Sequence, residues 1–156
     1  MDKSLHYLAM ANQMMIQKRL MEQIKETGLT LGQPKVLDYL KDHDGVSQKE
    51  IAAGCFIEAG SLTSILNGME KKGLIERRML NGNRRTFHIF MTEAGKYSQR
   101  ITEEAFLEIE KTALKGISAA DLEKYMEISG QIFDNLQKNC QENNKELQRK
   151  KEVTNE

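Results

Sequence analysis

Apolar residues in the first stretch of the chain, about 4–27, form two adjoining stripes. Leu5, Leu8, Met15, Ile16, Leu20 and Ile24 share a line that Asn12 interrupts, and Tyr7, Met10, Met14 and Met21 lie beside them. Spacings of three and four residues predict a helix, and two stripes make its contact face wider than a surface helix needs. Such a helix is either buried between neighbours of its own chain or shared with a second subunit. The apolar faces of the later helices favour sharing. Gly28 ends the segment, and Val36, Leu37 and Leu40 mark a second helix over about 30–42, with Pro34 in its first turn, where a missing backbone donor is cheapest. Ser47-Gln48-Lys49-Glu50 reads as a capping box that opens a short third helix ending near Gly54.

The pattern is clearest over 58–91. Leu62, Ile65, Leu66 and Met69 recur at i, i+3, i+4 and i+7, which gives a helix over 58–72 one buried face. Its other face carries Gly60, Ser61, Thr63, Ser64, Asn67 and Lys71, groups small or polar enough for another molecule to approach closely. After Gly73 the period changes. Residues 74–79 and 86–91 are short runs rich in β-branched and aromatic side chains, and the Asn81-Gly82 pair between them is a hairpin signal. Two short helices joined by a few residues, the second with a polar outer face, form the helix-turn-helix arrangement that lays its second helix in a DNA major groove.

Thr92 then begins a helix striped by Tyr97, Ile101, Ala105, Ile109 and Ala113, which Gly116 interrupts. Ser118 restarts it, and Leu122, Tyr125, Ser129, Ile132 and Leu136 carry the stripe to about Gln141. Residues 142–156 hold one Leu, one Val and many charges, so fraying is expected there. The predicted fold is mainly α with a small β-hairpin, and 156 residues fit one domain.

Charge sharpens this picture. The net charge is zero, yet residues 70–85 hold six basic side chains (Lys71, Lys72, Arg77, Arg78, Arg84 and Arg85) against Glu70 and Glu76. That is a local anion-binding footprint on an otherwise balanced chain. Composition, with 39% hydrophobic and 29% charged residues, is ordinary for a soluble protein. No apolar run reaches membrane-spanning length, and the N-terminus lacks signal-peptide character, so a cytoplasmic location without membrane contact is expected. Cys55 and Cys140 stand far apart without metal-ligand spacing, and no nucleophile–base set or phosphate-binding glycine loop is assembled. Neither a cofactor nor catalysis is implied.

The run EKKGLIERR, an Asn/Gly/Arg-rich hairpin and then MTEAG resemble the recognition helix and wing of the MarR family of bacterial winged-helix transcription regulators. The preceding SQKEIAAGCFIEAGSLTSIL fits the helix-turn-helix of that family. The resemblance is close over roughly 29–95 and reaches the outer helices only in arrangement. It implies a single domain over 1–156, with dimerisation helices over 1–28 and 93–141, a winged helix-turn-helix over 30–91 and a polar tail over 142–156. It further implies a homodimer on double-stranded DNA that represses by blocking polymerase access and is relieved by a small aromatic effector. Two departures stand out. Where the family carries Asp-x-Arg at the wing tip, this chain has Asn83-Arg84-Arg85, and where a basic residue often follows Thr63, it has Ser64.

Each candidate group also has a plainer reading. Arg84 and Arg85 are solvated turn charges unless the hairpin enters a minor groove, where A·T-rich segments concentrate negative potential. Ser61, Thr63, Ser64 and Asn67 are a wet helix face unless the helix docks. Docked, Asn67 is capable of a bidentate contact with adenine, and the Thr63 methyl of packing on thymine. Lys71, Lys72, Arg77 and Arg78 suit phosphates, and the Gln48 amide is a phosphate-anchor candidate. Cys55 reads as core packing ahead of redox sensing, because the family's peroxide sensors carry their reactive cysteine elsewhere. The methionines read as adaptable core filler. Met14, Lys18, Tyr39 and His43 are the candidate lining of the effector pocket that the resemblance implies. The rival reading from another class is a protein-interaction module that keeps the winged-helix shape without DNA affinity.

Overall fold

Burial of one face of each short central helix builds the core. The structure, a computed structural model, describes residues 4–80 and 86–153, with side chains to Lys138. It comprises α1 (Leu5–Gln23), a 3-10 turn (Lys25–Thr27), α2 (Gln33–Leu40), β1 (Val46–Ser47), α3 (Gln48–Cys55), α4 (Ala59–Lys71), β2 (Ile75–Met79), β3 (Phe87–Met91), α5 (Glu93–Ala113) and α6 (Ala119–Val153). Two compact units divide it, Met1–Ala113 and Leu114–Glu156.

In the first unit, Val36, Leu37 and Leu40 of α2, Ile51 of α3, Leu62, Leu66 and Met69 of α4 and Ile89 of β3 are wholly buried together. Each such side chain contributes about 1.5–3 kcal/mol through removal from water. Ile24, just beyond α1, joins them; within α1 itself only Leu20 is buried. The expected first helix therefore ends early. Residues 25–27 tighten into a 3-10 turn, and Gly28 takes φ +69 to let the chain leave.

The two expected strands pair antiparallel, with Ile75 opposite Met91 and Arg77 opposite Ile89. A third strand was not foreseen. β1 pairs antiparallel with β3 through Val46–Ile89 and Ser47–His88, giving the order β1-β3-β2 and tying the start of α3 to the wing. The capping box is formed as read: Ser47 Oγ accepts from Glu50 N at 3.3 Å while Ser47 N donates to Glu50 Oε2 at 2.8 Å.

A second joint fixes the far end of α4. The Thr92 hydroxyl donates to Gly73 O at 2.6 Å and accepts from Gly95 N at 3.0 Å, while Thr92 N donates to Leu74 O at 3.1 Å. A Cβ on Gly95 would lie 2.0 Å from that same Leu74 oxygen, so α5 crosses the α4–β2 corner at a distance only glycine permits.

In the second unit, Gly116 at φ +82 turns the chain, and Ser118 caps α6 by accepting from Asp121 N at 3.1 Å. The backbone stays helical to Val153, past the end of the apolar stripe, where fraying was expected. Glu, Lys, Gln, Arg and Leu predominate there, residues with high intrinsic helix propensity. Among the described residues no helix is long and apolar enough to cross a membrane.

Gly95→Ala is expected to destabilise the protein by about 2 kcal/mol or more in urea unfolding, since a backbone oxygen cannot rotate away. The Ser47 hydroxyl and backbone amide hold the Glu50 carboxyl below the ordinary glutamate value. Its contribution is therefore full above that value and lost as pH falls through the folded-state pKa. Glu50→Gln should flatten this part of the acid limb of a stability–pH profile, leaving the neutral region nearly level.

Candidate nucleic-acid interface

The core burial of Leu62, Leu66 and Met69 turns Gly60, Ser61, Thr63, Ser64, Asn67 and Lys71 of α4 outward, where all six are exposed. α3 ends at Phe56, whose left-handed φ of 52 reverses the chain, and Glu58 opens α4 without a side-chain cap. Its first backbone amides are thus left for another acceptor. A Cβ at Gly60 would meet nothing within 4 Å, so packing inside the chain does not require a glycine there. Ser61 and Ser64 make no side-chain hydrogen bond among the described residues.

Two of the expected contact groups are tied to each other. Gln48 Nε2 donates to Thr63 Oγ1 at 2.7 Å, and that hydroxyl donates to Ala59 O at 2.9 Å. The Thr63 hydroxyl is thus used twice within the chain, and its methyl remains for an apolar contact such as a thymine methyl. Gln48, half-buried, bridges α3 to α4 and keeps its amide oxygen and one N–H for an outside partner.

The basic residues divide differently from their expected common role on phosphates. Lys72 donates to Gly28 O at 2.6 Å and to the buried Gln33 at 2.9 Å, pinning the end of α4 to the loop before α2. Arg77 donates to Glu70 Oε2 at 2.5 Å and to Asn67 Oδ1 at 2.8 Å. Arg78 pairs with Glu76, which raises its pKa, and its guanidinium lies 4.5 Å from the Phe90 ring centroid. Lys71 alone of these four has no partner among the described residues. Neighbouring residues on a strand point to opposite sides, so one of the Arg77–Arg78 pair had to face α4; that alternation was the available signal for the Arg77 contacts. The wing-tip residues Asn83, Arg84 and Arg85 lie outside the described residues.

Two of the four effector candidates meet. Tyr39 and His43 stack on each other with centroids 4.3 Å apart, and His43 Nδ1 lies 3.0 Å from Tyr39 O. The Tyr39 ring also covers Gly54, where a Cβ would meet it at 2.2 Å. Met14 and Lys18 are exposed on α1. A depression there is lined by His6, Tyr7, Met10, Ala11 and Met14, so it holds one of the four. Cys55 is buried with its Sγ 3.7 Å from Lys35 O, and burial pushes its thiol pKa up, away from the reactive thiolate. Among the described residues no cluster of three or more His, Cys, Asp or Glu is placed to hold a metal ion.

Lys71 and Lys72 are therefore expected to behave differently despite adjacency. Lys72→Met should cost about 1 kcal/mol of stability through its lost internal bonds. Lys71→Ala should change stability by less than about 0.5 kcal/mol but lower the slope of log affinity for DNA against log salt by about one. Urea unfolding and salt-dependent fluorescence anisotropy on both variants would check the contrast.

Known proteins match both this segment and this fold. A sequence model of the MarR family matches residues 27–86. The HTH-type transcriptional regulator SarZ of Staphylococcus epidermidis is 29% identical over 104 residues, covering 67% of this chain and 70% of that protein. The S. aureus MepR–DNA complex superposes with a TM-score of 0.80 at 22% identity, covering 86% of this chain and 99% of that one. A putative MarR-family transcriptional regulator from Listeria monocytogenes, solved with a 26mer DNA, gives 0.79 at 20% identity, covering 87% and 90%. Over residues 27–86 the chain is similar to the MarR family, and its helix-turn-helix, three-stranded sheet and outward polar face share the winged-helix fold of those solved structures.

Proposed function

We propose that this chain acts as a homodimeric repressor on a pseudopalindromic operator. Each subunit lays α4 in a major groove and runs the hairpin along the adjoining minor groove, with half-sites about 10 bp or a multiple of that apart. The observation that carries this reading is the outer face of α4: exposed, uncapped at its start and open at Gly60. Arg84 and Arg85 at the wing tip supply the minor-groove cations, and Lys71 and Arg78 meet phosphates. The structures of MepR and of the Listeria protein, both with DNA, support the docking mode by analogy.

Exposed apolar surface supports the dimer. On α1, Leu5, Met10 and Met14 are 65%, 68% and 67% exposed, and on α6, Tyr125 and Leu136 are 60% and 64% exposed. Each helix has an apolar face that a second copy would cover. In this reading 1–28 and 93–141 dimerise, 30–91 bind DNA and 142–156 form a polar tail, all in a cytoplasmic protein. Release by a small aromatic effector, touching Met14, Lys18, Tyr39 or His43, completes the reading on the family resemblance alone.

The internal pairing of Lys72, Arg77 and Arg78 favours one alternative, a winged helix that docks on protein and has no DNA affinity. Selection from a random DNA pool, followed by affinity at two salt concentrations, separates the two. The dimeric regulator should enrich an inverted repeat and lose affinity steeply with salt. Absence of enrichment would favour the protein-docking module. Arg85→Ala should weaken binding to all selected sequences alike and reduce the salt slope by about one; unchanged affinity would remove the wing from the interface.

A further inference from the structure

Asn67 sits near the middle of the exposed face of α4, beside Ser64 and Lys71 in an open depression. Its side chain is not free to turn. Arg77 reaches it from β2, donating one terminal nitrogen to Asn67 Oδ1 at 2.8 Å and the other to Glu70 Oε2. The Arg77 side chain is only 17% exposed, and its strand is paired to β3 on one side, so the guanidinium is held at both ends. A guanidinium has five donors and no acceptor, which means that only the oxygen of the amide can face it. The planar amide then turns its NH2 away from the sheet.

We propose that Arg77 is a positioning residue for sequence readout. By holding the Asn67 oxygen, it leaves Asn67 to face the major groove as a hydrogen-bond donor, selecting a keto oxygen (O6 of guanine or O4 of thymine) over adenine. This rests on the docking of α4 proposed above. A bidentate adenine contact requires the same oxygen to accept a second hydrogen bond, from the adenine amino group, on the one lone pair that the charged Arg77 donor leaves, whereas the NH2 has no partner among the described residues. Nearby groups reinforce the polarity. Lys71 is cationic and unpartnered among the described residues, while the Glu70 carboxylate is occupied by Arg77. The local surface therefore seeks acceptors, and guanine presents two, O6 and N7, on one edge.

The test is base selection from a random DNA pool by the full-length wild type and by Asn67→Ala, Asn67→Asp, Arg77→Leu and Arg77→Lys. The base position read by Asn67 is the one at which Asn67→Ala flattens the preference. At that position the wild type should favour guanine or thymine over adenine at least about fivefold. Asn67→Asp still accepts from Arg77 but has no donor, so it should invert the preference toward the amino bases cytosine and adenine; the exposed site keeps this variant folded. Arg77→Leu frees the amide and should admit adenine, while Arg77→Lys, which retains a donor to the oxygen, should restore the keto preference. An adenine preference in the wild type would overturn the proposal. So would an Asn67→Asp preference unchanged from wild type, or Arg77 variants that lower affinity for every sequence equally. Absence of any enriched site with wild-type protein would instead defeat the DNA-docking reading itself, and the proposal with it.

Discussion

The orientation of α4 about its own axis is the constraint on which the rest of the molecule depends. Leu62, Leu66 and Met69 are wholly withdrawn from water, and a helix with three such side chains on one side cannot rotate without exposing them. That single degree of freedom decides which residues meet an outside partner. The two ends of α4 are then fixed by polar contacts, through Gln48 and Thr63 at the start and through Lys72 and the Gly73–Thr92 joint at the end. Apolar burial sets the rotation, and hydrogen bonds set the position along the axis.

Those features whose cause is local in sequence were legible before the structure. The period of Leu62, Ile65, Leu66 and Met69, the Ser47–Glu50 box and the two strands around Asn81-Gly82 each depend on residues within a few positions of one another. What escaped reading depends on distant partners. β1 is two residues long and exists because Val46 meets Ile89, far along the chain. Lys72 looked like a phosphate ligand because its acceptors, Gly28 and Gln33, lie 44 and 39 positions away. The end of α1 was misplaced for a different reason: the apolar stripe runs on through Ile24, but the α-helix has ended by then and a 3-10 turn follows over 25–27. At the candidate interface, residue types were legible and their internal commitments were not.

These commitments change what the outer face of α4 is. Read from sequence, it is a set of independent polar groups; in the structure, Gln48 holds Thr63 and Arg77 holds Asn67. Side chains held in one orientation before binding lose less freedom when they bind, and they reject partners of the wrong hydrogen-bonding polarity more sharply. The departure from the family pattern at Ser64 leaves that face of α4 without one formal charge, so in the proposed docking shape and hydrogen-bond polarity take a larger share of recognition.

The pairing of Lys72, Arg77 and Arg78 within the chain also bears on how such a protein finds its site among a genome of competing sequence. Attraction to arbitrary DNA grows with the number of uncompensated cations, since each releases counterions from the phosphate backbone whatever the bases are. A chain of zero net charge in which Lys72 and Arg77, two of the four described cations between residues 70 and 85, are spent on internal partners would hold that background attraction low in the proposed docking. On the proposed docking, occupancy of a specific site would depend on the ratio of specific to non-specific binding, and lowering the denominator raises this ratio as effectively as adding a base contact.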